Sequence, residues 1–162
     1  MRTNHQIQTF LIISLLALSS HIYSQANKIP PFRMTQSNGM EFRAEQLPFN
    51  KPVVLIYFSP ECEHCTTLVK ELLLKERYFR KSSIVLITFM PINVVTDFVY
   101  KYRITKYRNI YTGTDGGTFF LKNYYNLKEM PFAALYDKEG KLLNKYTRPQ
   151  NLDEMISRLK DL

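Results

Sequence analysis

Residues 51–65 read KPVVLIYFSPECEHC, an apolar run that leads into two cysteines three positions apart. The continuous β-branched and aromatic run over 52–58 is typical of a strand buried on both faces, as in a parallel sheet. A helix is predicted from Cys62 to about Tyr78, because leucines recur on one face and Glu71 and Lys75 form a favourable i,i+4 pair. The cysteine pair is therefore expected where a buried strand gives way to a helix.

The remaining sequence alternates between strand and helix patterns. Before the cysteines it predicts a hairpin over 32–43 that turns at Asn38-Gly39. After them it predicts a buried strand over 84–90, a helix over 95–102, a loop at Gly113, Gly116 and Gly117, a short helix over 118–125, a strand pair over 132–136 and 142–146, and a last helix that starts at a capping-box-like Asn151 and Glu154. This order predicts an α/β fold with a central mixed β-sheet flanked by helices and an N-terminal β-hairpin extension.

The first 26 residues have the pattern of a signal peptide. A positive start at Arg2 precedes the nine apolar residues FLIISLLAL (10–18), and Ser24-Gln25-Ala26 offers the small residues of a cleavage site. Nine residues are too few to cross a bilayer as a helix. We therefore expect residues 1–26 to be removed and 27–162 to form one exported domain, periplasmic or secreted, with no membrane span after cleavage.

The composition limits what kind of protein this is. The chain has 162 residues, 45% of them apolar, and a net charge of +8, which suits one globular domain. The basic residues form two modest clusters without a nucleic-acid-reading motif, so we expect solvated helix faces and no nucleic-acid binding. The clusters are Lys70, Lys75, Arg77, Arg80 and Lys81, and Lys101, Arg103, Lys106 and Arg108. Their charge favours acidic partners or anionic membrane surfaces only weakly.

The cysteine spacing points to redox chemistry. Unpaired N–H groups and the helix dipole at the first turn would favour Cys62 as a thiolate. Cys65, one turn later on the same face, could then attack a mixed disulfide formed at Cys62. Cys62 is therefore the predicted nucleophile and Cys65 the predicted resolving cysteine.

The neighbours of the two cysteines act in opposite directions. An imidazolium at His64 would stabilise the thiolate, whereas the carboxylates of Glu61 and Glu63 would oppose it, so the net sign stays open. Two other interpretations remain: a plain structural disulfide or pair of buried thiols, and a Zn or Cu site built on Cys62, His64 and Cys65. Residues 27–162 hold no other Cys or His for a fourth metal ligand.

A second feature supports the redox interpretation. Met130-Pro131 precedes the predicted strand over 132–136, about 65 residues after the cysteine pair. A cis bond there would place a backbone edge beside the cysteines, where a substrate chain could pair with it. An ordinary edge-strand proline is the alternative.

Together, the Cys62-x-x-Cys65 and Met130-Pro131 elements resemble the thioredoxin-like superfamily. The Asn38-Gly39 hairpin, Glu45-Gln46-Leu47 and Lys51-Pro52 are similar to the entry of the exported TlpA/ResA-type thiol–disulfide oxidoreductases. The resemblance covers 32–162. It implies a thiol–disulfide oxidoreductase that needs no cofactor or metal, acts on protein thiols and disulfides with a redox partner protein, and is a monomer. It also implies that Pro131 is the cis-proline facing the active site and that Met130 borders the substrate groove.

The chain departs from the superfamily pattern at several positions. Ile56 stands where thioredoxins have a buried Asp, so the proton acceptor for Cys65 would be Glu61, Glu63 or water. Glu61 replaces the usual Trp, and a His directly before the second cysteine is similar to the oxidising DsbA type. A peroxiredoxin is disfavoured because its Thr-x-x-Cys arrangement is missing. The departures leave two further hypotheses, a binding module that has lost turnover and a metallochaperone.

Overall fold

The computed structural model describes residues 27–149 and 151–162, so the predicted signal peptide at 1–26 lies outside the described residues. The strands are β1 (Arg33–Gln36), β2 (Glu41–Arg43), β3 (Val53–Tyr57), β4 (Ser83–Thr88), β5 (Ile110–Thr114), β6 (Phe132–Tyr136) and β7 (Leu142–Thr147). The α-helices are α1 (Glu63–Leu74), α2 (Ile92–Lys101), α3 (Phe120–Tyr124) and α4 (Asp153–Lys160). None of these described helices is long and apolar enough to cross a membrane.

The seven strands form one mixed sheet in the order β2-β1-β5-β4-β3-β6-β7. Strands β3, β4 and β5 are parallel, and β6 runs antiparallel to β3. The carboxyl ends of the parallel strands therefore meet at one end of the sheet, which we call the cysteine end (Tyr57, Thr88 and Thr114). Their amino ends meet at the other, which we call the distal end (Val53, Ser83 and Ile110).

The core lies on both faces of the sheet. In β3, Val54 and Ile56 point to one face, and Val53, Leu55 and Tyr57 point to the other. All five are at most 2% exposed, which confirms the strand buried on both faces. Helix α1 packs Leu68, Val69 and Leu72 against the first face, whereas the hairpin residues Phe32, Met34 and Phe42 cover the second.

The glycine loop predicted at Gly113 is wrong, because Gly113 lies inside β5, an internal strand of the sheet. A Cβ atom at this position would lie 2.7 Å from the backbone oxygen of Thr35 and 2.9 Å from Cγ of Met34. The glycine is therefore needed for the close approach of β1 to β5 and does not mark a turn.

Several predicted boundaries also shift. Helix α1 ends at Leu74, and Glu76–Tyr78 forms a separate 3-10 turn. The predicted capping box of the last helix does not form as such. Asn151 accepts a hydrogen bond from the Asp153 amide at 3.1 Å, but Glu154 bonds instead with Asn144 and Arg158.

Candidate active site

The two cysteines lie at the cysteine end of the sheet, where the chain leaves β3 and enters α1. Cys62 is the N-cap of α1, with extended backbone angles and an amide that donates to the Ser59 carbonyl at 3.1 Å. The backbone amide of Cys65 donates a hydrogen bond to Sγ of Cys62 at 3.4 Å. This confirms the predicted strand-to-helix junction and gives the Cys62 sulfur a donor that stabilises negative charge.

The two thiols differ in exposure. Both cysteines are free; Cys62 is half-buried, whereas Cys65 is completely buried in the core on the α1 face. Burial, followed by the hydrogen bond with Cys62, raises the pKa of Cys65 to about 12. Hydrogen bonding with the Ser59 backbone acts in the opposite direction but is weaker. Cys65 is therefore a protonated, protected thiol beside an accessible one.

The neighbouring side chains Glu61, Glu63 and His64 are all exposed. His64 lines a hollow of about 90 Å³ with Thr67, Leu68, Pro131, Arg148 and Pro149. The hollow joins the first turn of α1 to the segment before β6, so the structure brings His64 and Pro131 to one site. Glu61 and Glu63 lie on either side of Cys62 in the sequence and face solvent.

The segment before β6 carries the second predicted feature. The Met130–Pro131 peptide bond is cis, as the resemblance implied. The buried Pro131 accepts a hydrogen bond on its carbonyl from the Arg148 amide at 2.8 Å. Within the described part of the chain, the backbone N–H and C=O of Met130 have no hydrogen-bond partner. A free peptide edge therefore lies next to the hollow that His64 lines.

Among the residues that the structure describes, no carboxylate takes the place of the aspartate that thioredoxins have beneath the cysteines. Ile56 is completely buried in the same core cluster as Cys65. The strongest influences on the Cys65 thiol are burial, Cys62 and backbone groups, none of which is a carboxylate. The residues that surround Cys65 thus hold the sulfur in an apolar setting.

A buried carboxyl group that was not predicted from the sequence also lies at the cysteine end, after β5. Asp115 follows β5, is 7% exposed, and accepts hydrogen bonds from the Tyr57 hydroxyl at 3.4 Å and the Leu121 amide at 3.1 Å. Burial raises the pKa of this carboxyl above its ordinary value. The alternating β-branched residues Ile110, Thr112 and Thr114 before it could have indicated a strand that ends at Asp115, but Gly113 favoured a loop.

Asp115 also borders a hollow at this end of the sheet. The space has a volume of about 450 Å³ and lies between the hairpin and the segment after β5. Its lining includes Arg33, Met34, Glu41, Asp115 and Phe120. Tyr57 points to the sheet face opposite Ile56 and Cys65, and Asp115 bonds with Tyr57, so these two residues form a separate group from the cysteine pair.

The described residues contain no group of three or more His, Cys, Asp or Glu side chains arranged to hold a metal ion. Cys62, His64 and Cys65 are neighbours in the sequence, but the His64 side chain lines the hollow at Pro131. The metallochaperone hypothesis therefore receives no geometric support from this part of the chain.

Comparisons with known proteins show the fold. No protein-family model matches the chain, and no curated protein matches its sequence significantly. A secreted Mycobacterium tuberculosis disulfide oxidoreductase homologous to E. coli DsbE is similar, with 23% identity and a TM-score of 0.66 over 82% of this chain and 96% of that chain. The exposed lipoprotein thioredoxin Etrx1 of Streptococcus pneumoniae strain TIGR4 has 20% identity and a TM-score of 0.62 over 82% and 99%.

A third solved structure comes from a different functional class. The peroxidoxin BcpB of Mycobacterium tuberculosis has 16% identity and a TM-score of 0.71 over 84% of this chain and 96% of that chain. The three likenesses confirm that the chain has the thioredoxin-like fold, a mixed sheet flanked by helices. Because proteins of several activities share this fold, the activity has to be argued from the site.

Proposed function

We propose that the chain is an exported thiol–disulfide oxidoreductase of the TlpA/ResA type, which exchanges disulfides with protein thiols through Cys62 and Cys65. One observation carries the proposal. An accessible thiol at a helix N-cap receives the Cys65 amide on its sulfur, while the Cys65 thiol itself is buried and protonated. This asymmetry suits one attacking and one resolving cysteine.

The reaction proceeds in two thiol–disulfide exchange steps. The Cys62 thiolate attacks a substrate disulfide, forming a mixed disulfide and releasing one substrate thiolate, which takes up a proton. Cys65 loses its proton and attacks Sγ of Cys62, which releases the second substrate thiolate. The substrate gains two electrons and the protein holds a Cys62–Cys65 disulfide, which a redox partner protein then reduces; substrate oxidation follows the same steps in reverse.

The second step needs a base because burial keeps the Cys65 thiol protonated. Ile56 is apolar and cannot accept a proton. Glu61 and Glu63 are exposed and close in sequence, so the acceptor is one of them or a water molecule. His64 tunes the Cys62 thiolate from the first turn of the helix, where a positive charge favours the anion.

Met130 and Pro131 border the substrate groove in this proposal. The unpaired N–H and C=O of Met130 offer two hydrogen bonds to an extended substrate chain that crosses the cysteine end. The Arg148 amide fixes the Pro131 carbonyl, and the Arg148 side chain pairs with Glu129 at 3.6 Å. Both contacts hold the peptide edge in place.

The exported location rests on the sequence of residues 1–26 and on the secreted or exposed proteins among the structural neighbours. In this setting residues 1–26 are removed and 27–162 act as a monomeric domain. A second candidate, a thioredoxin-fold binding module with little turnover, is favoured by one observation. Ile56 leaves the buried Cys65 without a carboxylate beneath it.

Trapping of the mixed disulfide tests the proposal. The Cys65→Ser variant is incubated with a disulfide-bonded protein and analysed by non-reducing mass spectrometry. We expect a covalent adduct through Cys62 that dithiothreitol removes, and no adduct in Cys62→Ser. If the folded Cys65→Ser variant forms no adduct while the unfolded variant does, Cys62 is not a nucleophile and the binding module takes the place of the enzyme.

A further inference from the structure

Exposed basic side chains gather at the distal end of the sheet, opposite the cysteines. Lys51 precedes β3, Arg80 and Lys81 precede β4, and Lys106 and Arg108 precede β5. Because these three strands are parallel, the segments that precede them meet at one end. The fold thus combines residues from both basic clusters of the sequence on one surface.

Four of these residues line a single hollow of about 560 Å³: Lys51, Arg80, Lys106 and Arg108. The carboxylate in its lining is Glu76, which pairs with Arg80 at 3.3 Å. Within the described residues, Lys51, Lys106 and Arg108 have no carboxylate partner. The hollow therefore carries an excess of three positive charges and suits an anionic ligand.

Two large apolar side chains stand out into solvent at the same end. Phe49 is 97% exposed and lies two residues before Lys51. Leu74 is 86% exposed and is the last residue of α1, two residues before Glu76. Single exposed apolar residues are common on protein surfaces. These two, however, lie two residues from Lys51 and Glu76, which line the basic hollow, and among the described residues neither belongs to a hydrophobic cluster.

We propose that the protein docks on the surface of an anionic phospholipid bilayer through its distal end. The residues that make the contact are Lys51, Lys106, Arg108, Phe49 and Leu74. The three cations would pair with lipid phosphates while Phe49 and Leu74 enter the headgroup region. A bilayer fits better than an acidic protein because the cations occur together with two large apolar side chains that are 97% and 86% exposed, and a membrane surface offers both phosphates and an apolar layer. This inference does not depend on the proposed redox activity.

The docking has a consequence for the cysteines. The parallel strands separate the distal end from the cysteine end by their full length, so a chain docked in this way points Cys62 and the Met130 edge away from the bilayer. The redox site would remain open to partner proteins while the domain stays close to the membrane surface.

Vesicle sedimentation tests the docking with the full chain. Binding to phosphatidylcholine vesicles is compared with binding to vesicles that also contain phosphatidylglycerol, at about 0.1 M and about 0.5 M salt. We expect tighter binding to the anionic vesicles than to the neutral ones at the lower salt, and a loss of this difference at the higher salt. The first 26 residues carry one Arg, Arg2, no Lys and no acidic side chain. They are identical in every variant, and the neutral vesicles report their apolar contribution.

A triple charge reversal identifies the surface. Lys51→Glu, Lys106→Glu and Arg108→Glu together should weaken binding to the anionic vesicles at least about tenfold. The matched control reverses three exposed lysines outside the distal hollow, Lys70, Lys122 and Lys145, and so changes the net charge equally. A set of Gln substitutions at the three distal positions keeps the test valid if the Glu variant does not fold.

Orientation is measured with a single tryptophan, since the chain has none. Phe49→Trp should show a blue-shifted emission on anionic vesicles, whereas Phe119→Trp, at the cysteine end, should not. The proposal fails if the unmodified chain shows no preference for anionic vesicles. It also fails if the control triple weakens binding as much as the distal triple, or if both tryptophans shift equally.

Discussion

The backbone amide of Cys65 donates a hydrogen bond to Sγ of Cys62 at 3.4 Å. This contact exists because Cys62 caps a helix whose first free amides point back at its side chain. It also makes the two cysteines unequal, since one sulfur accepts the bond at the protein surface and the other lies buried below it. The proposed order of attack and resolution follows from this inequality.

The buried cysteine should react slowly with alkylating reagents. In Cys62→Ser, burial, the largest influence on the Cys65 thiol, is retained, so its pKa stays raised and its thiolate is rare near pH 8. We expect Cys65 in this folded variant to react with iodoacetamide at least about tenfold more slowly than in urea. Equal rates in the two states would show that Cys65 is neither buried nor protonated.

His64 should affect the redox equilibrium more than the fold. An imidazolium near Cys62 stabilises the thiolate and so favours the reduced form. We expect His64→Gln to shift the equilibrium with glutathione toward the disulfide by about twofold to tenfold, where tenfold corresponds to about 30 mV. Glu63→Gln should shift it in the opposite direction. Shifts of the same sign in both variants would contradict an electrostatic role for either side chain.

The buried carboxyl of Asp115 should make stability depend on pH. Because its folded pKa is raised, the folded state binds the proton more tightly than the unfolded state. Its contribution is therefore present at low pH and is lost as the pH rises through the folded pKa. The urea midpoint of Asp115→Asn, relative to the unmodified chain, should increase from pH 4 to pH 7. A pH-independent difference would show that Asp115 ionises without cost.

A substitution at Gly113 tests the pairing of β5 with β1. A Cβ atom at Gly113 would meet the Thr35 carbonyl at 2.7 Å, so Gly113→Ala must displace β1. We expect a loss of about 1–3 kcal/mol in the free energy of unfolding, measured by urea denaturation. Gly117→Ala is the matched control, because nothing lies within 4 Å of its added methyl group. Equal effects of the two substitutions would argue against the pairing of β1 with β5.

The sequence predicted the elements whose signals are local. Strand β3 is an uninterrupted apolar run, α1 has a leucine stripe, and the cysteines follow one and begin the other. Strand β5 was missed because Gly113 is explained only by the neighbouring strand β1, far away in the sequence. The hydrogen bond between Tyr57 and Asp115 could not be predicted either, since it joins residues 58 positions apart, one at the end of β3 and the other just after β5.

The basic surface at the distal end could not be predicted from the sequence either. The two basic clusters were visible, but the sequence did not show that parallel strands bring their ends together around one hollow. For the same reason Phe49 and Leu74 could not be expected to flank that hollow. The sheet topology brings these distant segments together, and only the structure reveals that topology.

The proposed oxidoreductase function requires that Cys62 and Cys65 form one redox-active pair. Equilibration of the folded protein with glutathione buffers, followed by alkylation and mass spectrometry, tests it most directly. We expect a single two-electron transition between a dithiol and an intramolecular Cys62–Cys65 disulfide. If neither cysteine exchanges with the buffer while the fold is intact, or if only separate glutathione adducts form, the proposed oxidoreductase function is wrong.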